Sequence, residues 1–155
     1  MRAAILTFAA AALACLSLAP PAPSLPRQAE LKLIWPAEVT VTDGFGWSRG
    51  RLHSGIDIGI LRSLEVRAAV SGTVTKVGNV PGYEGYGTIV LITSDAYETL
   101  YAHLARVDVR VGEGVLADER LGLAGCTGSC TGTHLHFELR RHGVAVDPMP
   151  FLSPG

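Results

Sequence analysis

Four residues in two short segments have the types and the spacing of a metal-ligand cluster. His134 and His136 open the segment HLHFELRR, and side chains two residues apart on a β-strand point to the same face. His53 and Asp57 are four residues apart in HSGIDIGI, so an extended or gently turned segment brings them to one side as well. Two imidazoles and a carboxylate with an open fourth position are typical of a catalytic zinc site.

Two further residues belong to predicted strands and carry titratable side chains. His103 ends the predicted strand Thr99–His103. Glu138 shares the face of His136, which leaves two interpretations open. It orients a ligand histidine as a hydrogen-bond acceptor, or it is a plain solvent-facing strand residue. His142 has no such companions and is interpreted as a surface residue.

The elements that must position these residues are predicted to be strands. Short runs rich in β-branched residues alternate with glycine-containing turns, and no amphipathic helical pattern of useful length follows residue 22. We therefore predict an all-β fold, a compact single domain of antiparallel β-sheets with a metal-site groove. The predicted strands are Leu31–Trp35, Val39–Thr42, Val66–Val70, Thr73–Val77, Thr88–Thr93, Thr99–His103, Val107–Val111, His134–Arg140 and Val144–Val146.

The order of these motifs resembles one known family. HxxxD, then LYAHL at 100–104, then HLHFE within residues 125–143, is similar to the lysostaphin/LytM-type zinc metallopeptidases, which cut the peptide part of bacterial peptidoglycan. The resemblance covers about residues 31–150 and implies their lysostaphin-like, duplicated-hybrid-motif fold. It also implies a zinc metalloendopeptidase that hydrolyses peptide bonds in peptidoglycan stems or cross-links.

The resemblance assigns a role to each of five residues. It implies that His53, Asp57 and His136 bind Zn²⁺. It implies that His103 and His134 form the catalytic pair, without saying which of them is the general base. Some members of the family lack the zinc ligands and activate other wall hydrolases, whereas this chain keeps all five residues. A non-catalytic activator is therefore the alternative, together with a zinc peptidase whose substrate is a protein.

Cys126 and Cys130 stand just before the HLHFE segment, where the family usually has glycine, threonine or serine. The amino-terminal segment predicts export of the chain, and export favours a disulfide. This disulfide would hold the loop that leads to His134 and His136. A bridge over so few residues should stabilise the whole fold only slightly. Two alternatives remain, namely free thiols and a finger-like metal site, since CxxxC precedes HxH.

The amino-terminal segment has the pattern of a signal peptide. Arg2 precedes an uncharged apolar run over residues 3–19, and a cluster of prolines follows it. We predict a signal peptide over residues 1–22, a linker over 23–30 and a peptidase domain over 31–152. The product is expected in the periplasm or cell envelope. Cys15 offers lipid attachment as an alternative, and the cleavage point is left open.

The charge balance excludes two classes of partner. The chain carries 13 Lys and Arg against 14 Asp and Glu, so no basic surplus is present to hold nucleic acid or an anionic membrane. No stable membrane insertion is expected after signal cleavage.

The expected partner is a peptidoglycan peptide, and a regulatory protein partner stays open. A groove for that peptide could be lined by aromatic residues, the candidates being Phe45, Trp47, Tyr83, Tyr86 and Tyr101.

Overall fold

Short antiparallel strands make up most of the regular structure. The structure is a computed structural model that describes residues 31–38, 40–48, 50–59 and 61–154. The predicted signal peptide and linker lie outside the described residues. Within those ranges the helical segments are two single 3₁₀ turns, Glu84–Tyr86 and Met149–Phe151. No helix among the described residues has the length and apolarity that membrane crossing requires.

Thirteen strands follow one another along the described chain. They are β1 Val41–Asp43, β2 Gly46–Ser48, β3 Arg51–His53, β4 Ile56–Ile58, β5 Glu65–Arg67, β6 Gly72–Gly78, β7 Ile89–Ser94, β8 Tyr97–Ala102, β9 Leu104–Val107, β10 Gly114–Val115, β11 Arg120–Ala124, β12 Leu135–Arg141 and β13 Val144–Val146.

The strands form one large sheet and two small ones. The large sheet has the order β1-β4-β12-β8-β7-β6-β10, with β13 paired to β12, and a second sheet has the order β5-β11-β9. The hairpin β2-β3 forms a separate two-stranded ribbon. Every strand pair is antiparallel, which confirms the predicted all-β class.

The two faces of the large sheet are covered differently. One face packs into the main core, where alternate residues of β4 and β12 such as Ile56, Ile58, Leu135 and Phe137 are fully buried. The opposite face carries a smaller apolar cluster from β7 and β8, against which Tyr83 and Tyr86 pack. His136 belongs to this second face of β12, so the alternation predicted for HLHFE is observed.

Two predicted strands are absent or displaced, while the others differ from the observed strands only at their ends. In the segment Leu31–Trp35, Leu33 makes an isolated bridge to Leu152 and no extended strand is formed. The predicted strand Val107–Val111 is shifted, because β9 begins at Leu104 and ends at Val107. The Asp108 amide still donates to the Leu121 carbonyl of β11, and the chain then enters a turn in which the Glu113 amide donates to the Arg110 carbonyl.

Candidate metal and catalytic site

Three side chains converge from neighbouring strands to form the cluster. His136 on β12 lies directly opposite Asp57 on β4, and His53 is the last residue of β3. The Asp57 Oδ1 atom is 2.9 Å from His136 Nδ1 and 3.2 Å from His53 Nε2. The two imidazole nitrogens are 3.1 Å apart. The register of two paired strands therefore sets the geometry of this cluster.

A glycine allows the turn between β3 and β4 to approach β12. A Cβ atom on Gly55 would overlap the Phe137 carbonyl oxygen, which lies on the strand that carries His136. A side chain at this position would push His53 and Asp57 away from their partner. The Ser54-Gly55 turn is thus a requirement of the cluster.

Both histidines of the cluster bind a fixed acceptor through one ring nitrogen and turn the other ring nitrogen toward Asp57. His53 Nδ1 donates to the Gly44 carbonyl at 2.7 Å, and His136 Nε2 donates to Glu138 Oε1 at 3.0 Å. A carbonyl and a carboxylate can only accept, so these two nitrogens carry protons, and the opposite nitrogen of each neutral ring is the one available to a metal ion. Two nitrogen lone pairs and a carboxylate oxygen, all within 4.8 Å of one another, fit a divalent metal ion.

Glu138 is a buried acceptor and not a solvent-facing residue. Besides His136, its Oε1 atom accepts from the hydroxyls of Ser54 and Tyr86, and its Oε2 atom accepts from Arg140 Nε at 2.7 Å. Burial alone would raise the pKa of this carboxyl, but these four donors outweigh burial and lower the pKa to about 2. Glu138 therefore stays charged and keeps the His136 ring in one orientation.

The pKa values of Asp57 and His136 are shifted by their contacts with each other and with neighbouring side chains. Burial would raise the pKa of Asp57, yet the hydrogen bond with His136 and the charges of three nearby imidazoles lower it. Burial would lower the pKa of His136, yet its contacts with Asp57 and Glu138 raise it. Without a metal ion both shifts favour an ionised Asp57 carboxylate paired with a protonated His136, so a metal ion that binds here must displace the His136 proton.

His103 lies at a joint between two sheets and not within a strand. It follows β8 with φ of 61° and precedes β9, so the chain leaves the large sheet and enters the three-stranded sheet at this residue. The predicted strand Thr99–His103 therefore ends one residue early, at Ala102. The Nδ1 atom donates to the Thr127 carbonyl at 2.8 Å, which turns Nε2 into the cleft. Burial, with help from nearby imidazoles, lowers the pKa of His103.

His134 immediately precedes β12 and makes an isolated bridge with Gly125. Its Nδ1 atom donates to the Gly132 carbonyl at 2.7 Å, so Nε2 is the ring nitrogen left to face the cluster. That Nε2 atom lies 3.7 Å from Asp57 Oδ1. The ring centroids of His103 and His134 are 4.7 Å apart. The structure thus places the two histidines side by side at the cluster.

An open cleft of about 700 Å³ exposes these groups to solvent. Its walls come from the β3 hairpin, the 3₁₀ turn before β7 and the loop before β12. The lining residues are Arg51, Leu52, His53, Ser54, Asp57, Gly85, Tyr86, His103, Ser129, Cys130, Thr131, His134 and His136. In that loop the sulfurs of Cys126 and Cys130 are joined, with Cα atoms 5.3 Å apart.

The aromatic candidates separate into different roles. Tyr86 lines the cleft, whereas Phe45 and Trp47 are exposed on or beside the β2-β3 hairpin. The prediction that Tyr101 lines the groove is wrong. Its ring is fully buried in the main core, its hydroxyl accepts from the Ala69 amide, and burial raises its pKa to about 12. His142 is exposed in the turn between β12 and β13, apart from the site.

Comparison with known proteins identifies the family. Residues 51–148 match the sequence model described as Peptidase family M23. The chain belongs to this family. The lysostaphin/LytM resemblance and the lysostaphin-like fold predicted from it are confirmed.

Relatives within family M23 carry different descriptions. The chain is 40% identical over 105 residues to the DD-carboxypeptidase/endopeptidase Mpg of Neisseria meningitidis, covering 67% of this chain and 24% of Mpg. It is 36% identical over 119 residues to the murein hydrolase activator NlpD of Escherichia coli, covering 76% of this chain and 30% of NlpD. The chain spans between 22% and 39% of the length of the curated relatives it matches first.

A solved structure supports the same fold. A zinc-containing peptidase from Vibrio cholerae matches with a TM-score of 0.68 at 30% sequence identity. The match covers 77% of this chain and 40% of that protein.

Proposed function

We propose that this member of family M23 is a zinc-dependent endopeptidase that hydrolyses peptide bonds in peptidoglycan stems or cross-links. One observation carries the proposal. In each of four histidines a carbonyl or carboxylate engages one ring nitrogen, which leaves the other ring nitrogen facing the same cleft. Such uniform orientation supports a site that binds a cation and moves protons.

The metal-binding role is proposed for His53, Asp57 and His136. Two imidazole nitrogens and one carboxylate oxygen leave a fourth position open, as in catalytic zinc sites. When bound there, zinc polarises a scissile carbonyl and lowers the pKa of a water molecule to about 7. The structural neighbour from Vibrio cholerae is described as a zinc-containing peptidase, which supports this choice of metal.

The proton-transfer role is proposed for His103 and His134. A neutral imidazole of the pair accepts the proton of the attacking water at its Nε2 atom and later donates it to the leaving amine. The second imidazole, when protonated, donates a hydrogen bond to the oxyanion that develops on the scissile carbonyl. The carbonyls of Thr127 and Gly132 keep the Nδ1 atoms protonated, so the reactive nitrogen of each ring faces the substrate.

The substrate and the compartment follow from the relatives and the amino-terminal sequence. Mpg is described as a DD-carboxypeptidase/endopeptidase and NlpD as a murein hydrolase activator, and both descriptions point to peptidoglycan. The signal-peptide pattern of residues 1–22 supports action in the periplasm or cell envelope. A stem or cross-link peptide bound in the open cleft is consistent with the descriptions of these relatives and with action in the cell envelope.

The likeness to NlpD supports a second candidate function, a non-catalytic activator of other wall hydrolases. This function does not need zinc or the histidine pair. The retention of His53, Asp57 and His136 in one cluster, with His103 and His134 beside it, favours the enzyme.

Digestion of purified sacculi, combined with a measurement of bound zinc, tests the proposal. We expect about one zinc per chain and a changed muropeptide profile, with both lost in the presence of a strong chelator and restored by added Zn²⁺. Zinc binding without any muropeptide change would refute the endopeptidase. Stimulation of a separate amidase by the chelated protein would then support the activator, and cleavage of casein alone would support a protein substrate.

A further inference from the structure

One loop contacts both histidines of the proposed catalytic pair. We call residues 126–133 the disulfide loop. Its Thr127 carbonyl accepts from His103 Nδ1 at 2.8 Å, and its Gly132 carbonyl accepts from His134 Nδ1 at 2.7 Å. Both acceptors are backbone groups, so the orientation of each ring depends on the path of the loop and not on a side chain.

The first half of the disulfide loop is held by contacts that do not need the disulfide. The Thr127 hydroxyl accepts from the Thr88 amide at 2.9 Å and donates to the Leu104 carbonyl at 3.0 Å. Gly128 packs so closely against Gly87 that a Cβ atom on either glycine would overlap the other segment. The Thr127 carbonyl, and with it His103, is therefore fixed to the segments that flank β7 and β9.

The second half of the disulfide loop contains Cys130, one partner of the disulfide. Residues 131–133 are exposed, and the Cys130 sulfur lies 2.9 Å from the Gly132 carbonyl oxygen and 3.6 Å from His134 Nδ1. The bond from Cys130 to Cys126 joins this half to Gly125, the residue that forms a bridge with His134. The cross-link thus closes the loop onto the segment that pairs with His134, next to the Gly132 carbonyl.

We propose that the Cys126–Cys130 disulfide is a positioning element for His134. It holds the Gly132 carbonyl at the Nδ1 atom and thereby directs Nε2 into the cleft, while Thr127 orients His103 independently. The catalytic part of this inference rests on the proposed function, because it takes His134 as a member of the catalytic pair. The part that concerns the orientation of the His134 ring does not depend on the proposed function.

The test compares the oxidised protein with C126S, C130S and C126S/C130S. We expect kcat to fall by about tenfold to a hundredfold in all three variants, because small misplacements of a reacting group have effects of this size. KM and zinc content should stay within about twofold. The melting temperature should change little, since the cross-link closes a short loop. A C126A/C130A variant excludes compensation by the new hydroxyl groups.

Nitrogen NMR of the histidine rings supplies a readout that does not depend on activity. In the oxidised protein we expect His103 and His134 to carry the proton on Nδ1. In C126S/C130S, His134 should populate both tautomers while His103 keeps its proton on Nδ1. A phosphine reductant added to the wild-type protein should reproduce this change. The same reductant added to C126S/C130S should have no effect, which controls for its action on the metal.

The possible outcomes are distinguishable. Unchanged kcat and an unchanged His134 tautomer in the variants would overturn the inference. Loss of zinc or of the fold together with kcat would also overturn it, because the disulfide would then be merely structural. If the wild-type protein hydrolyses no sacculus, the proposed function fails. The tautomer measurement still decides whether the disulfide positions His134.

Discussion

The proposed metal ligands and the proposed catalytic pair are held in different ways. Asp57 and His136 are a directly opposed pair within the large sheet, and the β3-β4 turn brings His53 to them. His103 and His134 lie outside strands, at a joint between sheets and just before β12, and backbone carbonyls of one loop orient them. The proposed metal site therefore depends on strand register, whereas the proposed proton-transfer groups depend on a loop.

Removing a ligand should have the largest effect, because it destroys the cluster on which the rest depends. We expect His136→Ala to lose zinc and to show no measurable hydrolysis. His134→Ala and His103→Ala should keep zinc, with kcat lowered by about 10²–10⁴-fold, the usual contribution of acid–base or oxyanion groups. Zinc analysis and sacculus digestion measure both quantities on the same samples.

The exposed His142 supplies the matched control, since it lies in the β12-β13 turn apart from the cleft. His142→Ala should retain both zinc and activity. If His134→Ala lost zinc as completely as His136→Ala, the division between ligands and catalytic pair would be wrong. His134, whose Nε2 atom lies 3.7 Å from Asp57 Oδ1, would then be a ligand itself.

Glu138 should have the next largest effect, and on the metal site in particular. Glu138→Gln keeps the size of the side chain but removes the charge that faces His136 and Arg140. We expect zinc affinity to fall by about 10–100-fold, as is usual when a group that orients a ligand is changed. Competition with a chromophoric chelator measures this affinity.

The exposed Glu119, which accepts from the Leu116 amide within a turn, provides the same substitution as a control. Glu119→Gln should bind zinc as tightly as the wild-type protein. Unchanged zinc affinity in Glu138→Gln, with a lower kcat at saturating zinc, would place Glu138 with the catalytic pair instead of the metal site.

The same contrast explains which parts of the molecule could be predicted from sequence. Alternation along HLHFE correctly placed Leu135 and Phe137 in the core and His136 on the opposite face. The carbonyls of Thr127 and Gly132 could not be predicted, because every residue has a carbonyl and only the folded path selects these two. Aromatic character alone misplaced Tyr101 in the groove, because the side chain lies on the core face of β8, while His103, with its left-handed conformation, lies beyond the end of that strand.

The smallest effect is expected from the contact that holds His103, since the imidazole itself remains. Thr127→Val keeps the shape of the side chain but loses the hydrogen bonds with the Thr88 amide and the Leu104 carbonyl. The Thr127 carbonyl is then less firmly positioned beside His103. We expect kcat to fall by about tenfold at unchanged zinc content, which is a smaller loss than that expected for His103→Ala. Thr127→Ser keeps the hydroxyl and should restore most of kcat.

Equal kcat in Thr127→Val and the wild-type protein would mean that the joint between β8 and β9 orients His103 without help from the loop. The catalytic pair would then divide into one histidine held by the fold and one held by the disulfide.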